Sequence, residues 1–144
     1  MRLFTIGSTK TTAEHFFTRL TQAGVKTVVD VRLHNDNQLA GFAKREDLKW
    51  FLQAIGAIGY RHLPSLAPDA PLLAAHKSKR VTWAEYERQF LSQLTDRRIE
   101  RHLERPMFDA ACLLCSEPTA EHCHRRIVAE YLQHAWPGTE VVHL

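Results

Sequence analysis

Two thiols, a carboxylate and an imidazole stand close together near the end of the chain. Cys115 and Glu117 follow an apolar run, and Cys123 and His124 come a few residues later, where an amphipathic segment begins. An activated thiol is a nucleophile, and a carboxylate or an imidazole beside apolar surface is a general acid or base. We therefore take Cys115, Glu117, Cys123 and His124 as candidate catalytic residues.

The residues around Cys123 predict that it is the more reactive thiol. A helix start and the basic side chains of His124 and Arg125 favour the thiolate, whereas the Glu117 carboxylate opposes it. We expect the pKa of Cys123 to lie below that of a free cysteine if the helix begins only a residue or two before it. An N-cap at Thr119 would place Cys123 a turn inside the helix and weaken this expectation.

The spacing of Cys112 and Cys115 is that of a zinc knuckle, which Cys123 and His124 could complete. In an extended strand, however, side chains three positions apart project to opposite faces of the sheet. We therefore predict no metal site and no cofactor, and we interpret Cys112 as a small buried apolar residue.

Polar residues also follow two earlier apolar runs. Ser8 and Lys10 come after the first run, where they form either a turn or a loop that holds phosphate. Asp30 and Arg32 lie on one face of the second run. They form either a structural ion pair or a clamp in which Arg32 binds an anion at the mouth of a crevice. With Arg125, these are the candidate substrate-binding residues.

Apolar periodicity alternates between short runs of strand type and longer segments of helix type. The predicted strands are 2–6, 25–33, 58–63, 110–115 and 140–143. The predicted helices are 11–23, one that ends at residue 56, one that begins at Thr82, one from Asp96 to 104, and one that ends at 135. This alternation predicts one α/β domain over residues 1–144, with a mostly parallel sheet of about five strands and helices on both faces. In such a sheet the polar residues that follow three of the strands would meet at one edge. These are Ser8 and Lys10, Asp30 and Arg32, and Cys115 and Glu117.

Composition sets the broad class. The chain has 144 residues, a formal net charge of +3 and an odd number of cysteines, three. No apolar run approaches the ~20 residues of a membrane span, and no secretion signal is present, so we expect a cytoplasmic protein without a membrane partner or disulfides. The sequence leaves the oligomeric state open.

Seven segments spread over nearly the whole chain together resemble the DUF488 family. They are Phe4-Thr5-Ile6-Gly7-Ser8, Asp30-Val31-Arg32, Leu39-Ala40-Gly41-Phe42, Tyr60-Arg61-His62-Leu63-Pro64, Leu66-Ala67-Pro68, Cys112-Leu113-Leu114-Cys115-Ser116-Glu117 and Cys123-His124-Arg125-Arg126. Many members have a histidine between the glycine and the serine of the first segment, whereas Ser8 directly follows Gly7 here. The resemblance implies a fold and the position of a site, but no reaction, because the family is a domain of unknown function.

Two functional hypotheses follow. The first is a small enzyme, a hydrolase or transferase with thiol or carboxylate chemistry, that acts on an anionic, nucleotide-like or phosphorylated small molecule. The alternative is a nucleic-acid-binding or regulatory module without catalysis. Basic clusters at 97–105 and 76–80 would hold a phosphate backbone in that case, although a solvated helix face explains them equally well.

Overall fold

The computed structural model describes residues 1–36 and 41–144, and this part of the chain contains one parallel sheet of five strands. The strands are β1 (Arg2–Gly7), β2 (Thr27–Asp30), β3 (Gly59–His62), β4 (Ala111–Cys115) and β5 (Glu140–His143). They lie in the order β3-β2-β4-β1-β5, and every neighbouring pair is parallel. The predicted α/β fold is confirmed, with β4 at the centre of the sheet.

Helices cover both faces of the sheet. They are α1 (Ala13–Gln22), α2 (Arg45–Gly56), α3 (Ala70–Lys77), α4 (Trp83–Arg97), the single turn α5 (Ile99–His102) and α6 (His124–Ala135). Apolar side chains of α1 and α2 pack against one face, and those of α3, α4 and α6 pack against the other. These two layers bury both faces of β4, which explains its uninterrupted apolar sequence.

Side chains of β4 alternate between the two layers. Leu113 and Cys115 pack in the layer of α3, α4 and α6, whereas Cys112 and Leu114 pack in the layer of α1 and α2. The prediction that Cys112 and Cys115 face opposite sides is confirmed. Cys112 is fully buried, and it cannot reach a ligand at the edge where Cys115 lies.

Local capping residues set the helix boundaries. The predicted start at Thr82 is confirmed, because its side chain accepts a hydrogen bond from a backbone amide of the first turn of α4. In α1 the cap is Thr12 rather than Thr11. The predicted helix from Asp96 to 104 is wrong: α4 continues through Asp96, and Arg98 in a left-handed conformation separates it from the short α5.

The helix α3 was not predicted, since three prolines between 64 and 71 indicated a loop. The first of them opens a 3-10 turn, Pro64–Leu66. The last, Pro71, lies in the first turn of α3, where a missing amide hydrogen leaves no hydrogen bond unmade. Asp69 caps this helix by accepting from the amide of Leu72 at 3.0 Å.

The glycine, asparagines and aspartate between His34 and Ala43 predict a loop, and residues 37–40 of this segment lie outside the described part of the chain. Leu39 and Ala40 of the family-like segment 39–42 are among them. Gly41 and Phe42 are described, and they begin a short 3-10 turn, Gly41–Ala43. Within residues 1–36 and 41–144, no helix combines the length and the apolar character that crossing a bilayer requires.

Candidate functional site

The segment after Cys115 crosses the end of β1 in close contact with the backbone. Gly7 pairs with Cys115 in the sheet register, and a Cβ at residue 7 would overlap the carbonyl oxygen of Glu117. The amide of Ser8 donates to the Cys115 carbonyl at 3.1 Å, and the amide of Thr9 donates to the Ser116 carbonyl at 3.0 Å. The turn after β1 therefore positions the segment that carries Cys115 and Glu117.

Cys115, at the end of β4, contacts an imidazole of fixed orientation. Its Sγ lies 3.4 Å from Nδ1 of His124, and Nε2 of the same ring lies 2.7 Å from the carbonyl oxygen of Val31. A carbonyl oxygen only accepts hydrogen bonds, so Nε2 carries a hydrogen and donates it. In the neutral ring Nδ1 is then the basic nitrogen. The sulfur also lies 3.7 Å from Nε2, so it sits beside the ring and out of line with the Nδ1 lone pair.

Neighbouring groups favour the Cys115 thiolate. Burial raises the pKa of this thiol, but four neighbouring groups outweigh burial and hold the pKa below its ordinary value. They are the Cys123 thiol, which donates a hydrogen bond, the Arg125 guanidinium, and the amides of Glu117 and Ser116.

The predicted lowering of the pKa of Cys123 is wrong. Cys123 is the N-cap residue of α6, the position at which the prediction expected the helix dipole to help, but the side chain is only 2% exposed. Burial raises its pKa well above the ordinary value, and the negative charge at Cys115 raises it further, against smaller opposing effects of His124 and Arg125. Of the two neighbouring sulfurs, Cys115 is therefore the one whose thiolate form the surroundings favour, and Cys123 donates a hydrogen bond to it.

Arg125 is buried and holds the backbone of the site. Its Nη1 donates to the carbonyl oxygen of Glu117 at 2.6 Å, and its Nε donates to Oγ1 of Thr5 at 3.4 Å. In the part of the chain that the structure describes, no carboxylate forms an ion pair with Arg125. Its charge instead acts on the Cys115 thiolate.

Arg32 is not the solvent-reaching clamp that the sequence indicated, because it is only 5% exposed. Its Nε and Nη2 donate to the two carboxylate oxygens of Asp30 at 2.8 and 2.7 Å, and Nη2 also donates to the carbonyl of Ala43 at 2.8 Å. The hydroxyl of Tyr60 donates to the same carboxylate at 2.6 Å. Asp30 is fully buried, and together these groups form a satisfied internal network that supports the edge of the sheet.

A cleft opens over the Cys115 sulfur and encloses about 620 Å³, open solvent included. Cys115, Cys123 and His124 line it together with the Glu117 carboxylate and five further basic side chains: Arg32, His34, His76, Lys77 and His122. Glu117 is exposed, so it is available to a molecule in the cleft. Two predicted substrate-binding residues are elsewhere, since Ser8 is buried against the β4 segment and Lys10 is exposed outside the lining.

Sequence reasoning missed the wall that α3 and α4 contribute to the cleft. His76 of α3 stacks on Tyr86 of α4 with ring centroids 4.2 Å apart, and His122 stacks on Trp83 at 4.9 Å. Burial lowers the pKa of His76, and the charges of His124 and His122 lower it further, while Glu117 acts in the opposite direction. The aromatic pair at the start of α4 was the available signal, but its spacing indicated only a buried helix face.

Three soft ligand atoms converge at the base of the cleft. Among the described residues, Cys115, Cys123 and His124 place one sulfur or nitrogen atom each within 4.8 Å of the others, and all three side chains are buried. Cys112 is excluded from this set by its position on the opposite face. The sequence argument against a four-ligand site that includes Cys112 is therefore sound, but it did not consider the three remaining residues as a set.

Comparison with protein families gives one match, to the model described as "Domain of unknown function DUF488", over residues 12–132. This range includes β2, β3, β4 and most of α6, and therefore both sides of the cleft. Comparison with curated proteins and with solved structures gives no match.

Proposed function

We propose that this chain, which belongs to the DUF488 family, is an enzyme that uses the Cys115 thiol as a nucleophile on a small anionic substrate. The observation that carries the proposal is the chain of contacts from Cys115 to His124 to the Val31 carbonyl. A nucleophile within reach of a base, and a base oriented by a third group, is the arrangement that nucleophilic enzymes share.

Each residue has a distinct role in this proposal. His124 takes the thiol proton on Nδ1 as the Cys115 sulfur forms a bond to an electrophilic acyl or phosphoryl centre. The imidazolium then returns that proton to the leaving group, which departs with the electrons of the broken bond. Water or another acceptor releases the bound group from sulfur, with Glu117 at the cleft as its general base. Cys123 acts through Cys115, to which it donates a hydrogen bond.

The basic rim of the cleft supports an anionic substrate. Lys77, His34 and His122 are exposed there, whereas Arg32 and Arg125 are occupied by internal partners. We therefore assign anion binding to Lys77, His34 and His122 instead of Arg32 and Arg125.

Site-resolved alkylation tests the proposal. Reduced protein, freed of metal by a chelator, is treated with iodoacetamide, and each cysteine is followed by mass spectrometry. We expect Cys115 to react before Cys123 and Cys112, and His124→Gln to slow Cys115 by roughly tenfold or more because the base is lost. His134→Gln is the matched control, since His134 is exposed on the same helix. A faster reaction at Cys123, or no effect of His124→Gln, would overturn the proposal.

A second measurement tests the substrate class. Phosphate should slow the alkylation of Cys115, and Lys77→Ala should reduce that protection. Lys79→Ala should leave it unchanged, because Lys79 is exposed outside the cleft lining. Equal protection in all three proteins would show that the anion binds elsewhere.

The alternative of a nucleic-acid-binding module depends on the basic clusters. Two of their members have internal partners: Arg97 donates to the carbonyls of Ser65 and Ala67 at 2.8 and 2.6 Å, and Arg105 donates to that of Pro137 at 2.9 Å. Binding to unrelated DNA or RNA, followed by anisotropy over a salt series, compares the two hypotheses. A steep fall of affinity with salt would favour the alternative, and the enzyme proposal predicts no such binding.

A further inference from the structure

The base of the cleft has the donor set of a thiophilic metal site. We infer that Cys115, Cys123 and His124 bind a zinc-like divalent ion, and that the bound ion shuts off the Cys115 thiol. The inference concerns the same side chains as the proposed enzyme, but it rests on their geometry alone.

Distances between the donor atoms fit a tetrahedral ion. With metal–sulfur and metal–nitrogen bonds of about 2.3 and 2.0 Å, tetrahedral sulfur and nitrogen ligands lie about 3.6 Å apart, and two sulfurs about 3.8 Å. Cys115 Sγ is already 3.4 Å from His124 Nδ1, and the three donor atoms lie within 4.8 Å of one another. Side-chain movements that bring the sulfurs closer and turn the imidazole would complete the site.

The outer hydrogen bond of His124 is one that metal ligands make. Its Nε2 donates to the Val31 carbonyl at 2.7 Å, and a metal-binding imidazole almost always uses its second nitrogen in this way. This contact leaves Nδ1 as the free donor atom, 3.4 Å from the Cys115 sulfur. Because the same sulfur is 3.7 Å from Nε2, the ring must turn for the Nδ1 lone pair to point at an ion shared with Cys115. His124 is only 7% exposed and packs edge-on against Phe90 at a centroid distance of 5.7 Å, so the protein holds the ring beside the sulfur before an ion arrives.

Charge and ligand type select the ion. Two thiolates neutralise a divalent cation, which allows it to be buried without a further counterion. Sulfur and imidazole nitrogen favour Zn²⁺ or Co²⁺ over Mg²⁺, which prefers oxygen ligands. Three protein ligands leave the fourth position of the ion open towards the cleft, which the same three residues line. Coordination withdraws negative charge from the Cys115 sulfur, so the bound thiolate is a weaker nucleophile than the free thiolate, and the ion inhibits thiol chemistry.

Cobalt substitution tests the site without any assay of activity. Reduced, chelator-treated protein is titrated with Co²⁺, and thiolate-to-cobalt charge transfer is followed in the near ultraviolet. We expect a band that saturates at one ion per chain, is abolished by Zn²⁺ and is unaffected by Mg²⁺. Cys115→Ser and Cys123→Ser should each weaken binding by more than roughly 100-fold, beyond the 10–100-fold cost of losing an outer partner. Cys112→Ser is the matched control and should bind like the wild type.

Folding of each variant is checked by circular dichroism, and His124→Gln serves as a third ligand variant. A wild-type protein without a charge-transfer band, or a band that survives both Cys115→Ser and Cys123→Ser, would overturn the metal site. Zn²⁺ should also suppress the alkylation of Cys115 until a chelator is added, and unchanged alkylation with the ion bound would overturn the inhibitory role. The enzyme proposal is tested by a different measurement, the alkylation of Cys115 in metal-free protein, so the two proposals can be overturned independently.

Discussion

The carbonyl oxygen of Glu117 occupies the space that a side chain at Gly7 would need. This contact joins the first strand of the sheet to the segment that follows Cys115, more than a hundred residues later in the sequence. The glycine is required here by a close approach of backbone to backbone, because the atoms that a Cβ would overlap belong to the main chain of residues 117 and 118 and not to a side chain that could move aside.

Gly7→Ala should destabilise the fold and displace the Cys115 segment. Relieving the overlap requires a backbone shift, and such overpacking typically costs about 1–3 kcal/mol. The free energy of unfolding from urea denaturation measures the cost, and alkylation of Cys115 reports the displacement. Gly41→Ala is the matched control, since a Cβ at Gly41 meets no atom within 4 Å. Equal stability of the two variants would show that the 117 carbonyl moves freely.

Asp30→Ala and Arg32→Ala should destabilise the protein by similar amounts. Each leaves a buried partner without its counter-charge, at a cost of about 3–5 kcal/mol, since Asp30 is fully buried and Arg32 is 5% exposed. The sequence alone indicated a larger loss for Asp30→Ala, because it placed Arg32 at the mouth of a crevice. Urea denaturation of both single variants and of the double variant measures the coupling. If the double variant loses as much unfolding free energy as the two single variants together, the pairing is contradicted.

Tyr60→Phe tests the outer part of the same network. Tyr60 donates to the Asp30 carboxylate at 2.6 Å, and burial together with that carboxylate raises the pKa of the tyrosine. A hydrogen bond to a charged group contributes about 1.5–3 kcal/mol, so we expect a loss in that range from urea denaturation. Tyr131→Phe is the control, because Tyr131 donates at the same 2.6 Å to Glu100, which is near the surface. We expect Tyr131→Phe to lose less unfolding free energy than Tyr60→Phe.

The sheet was predictable from sequence because its central strands are buried on both faces. The run that ends at Cys115 is apolar throughout, and the run that contains Val28 and Val29 is rich in valine, so both are typical of buried strands. The edge strand β3 alternates between exposed and half-buried side chains and was still recognised from its short length. The fold class followed from these runs and from the helical segments between them.

The candidate site was predictable only in its position. Its outer wall is built by α3 and α4, and a proline-rich segment concealed α3. The lower pKa of Cys115 relative to Cys123 depends on burial and on the amides that point at Cys115. The spacing of the two cysteines in the sequence contains no information on burial or on these amides. The ion pair of Arg32 with Asp30 was one alternative from the sequence. The backbone carbonyls of Ala43 and Glu117, which accept from Arg32 and Arg125, have no sequence signal.

Cys112 should be inert in the folded protein and reactive only when the fold opens. It is fully buried, and burial raises the pKa of its thiol, although Arg125 and Arg19 act in the opposite direction. In the Cys115→Ser, Cys123→Ser double variant, Cys112 is the single thiol of the chain. Its alkylation rate, followed by mass spectrometry over a urea series, should track the unfolded population. Rapid reaction without urea would contradict the burial.

The pH dependence of stability should contain a contribution from His143. His143 is exposed in part, but the partial burial of its ring lowers its pKa, as does the charge of Arg125, whereas Glu130 acts in the opposite direction. Its Nδ1 lies 2.6 Å from Oγ1 of Thr5, which is fully buried. A base with a lowered pKa in the folded state binds its proton more readily when unfolded. Its contribution is therefore present above the unfolded pKa of about 6.5 and is lost as the pH falls below that value.

Two measurements check this expectation. An NMR titration should give His143 a midpoint below about 6.5, and urea denaturation at pH 7.5, 6.5 and 5.5 should show a smaller loss of stability on acidification in His143→Gln than in the wild type. His15→Gln is the control variant, because His15 is exposed on α1 and its replacement should leave the slope unchanged. If His143→Gln and the wild type lose stability in parallel between pH 7.5 and 5.5, then His143 is not held neutral by the fold, and the contact with Thr5 does not depend on its protonation state.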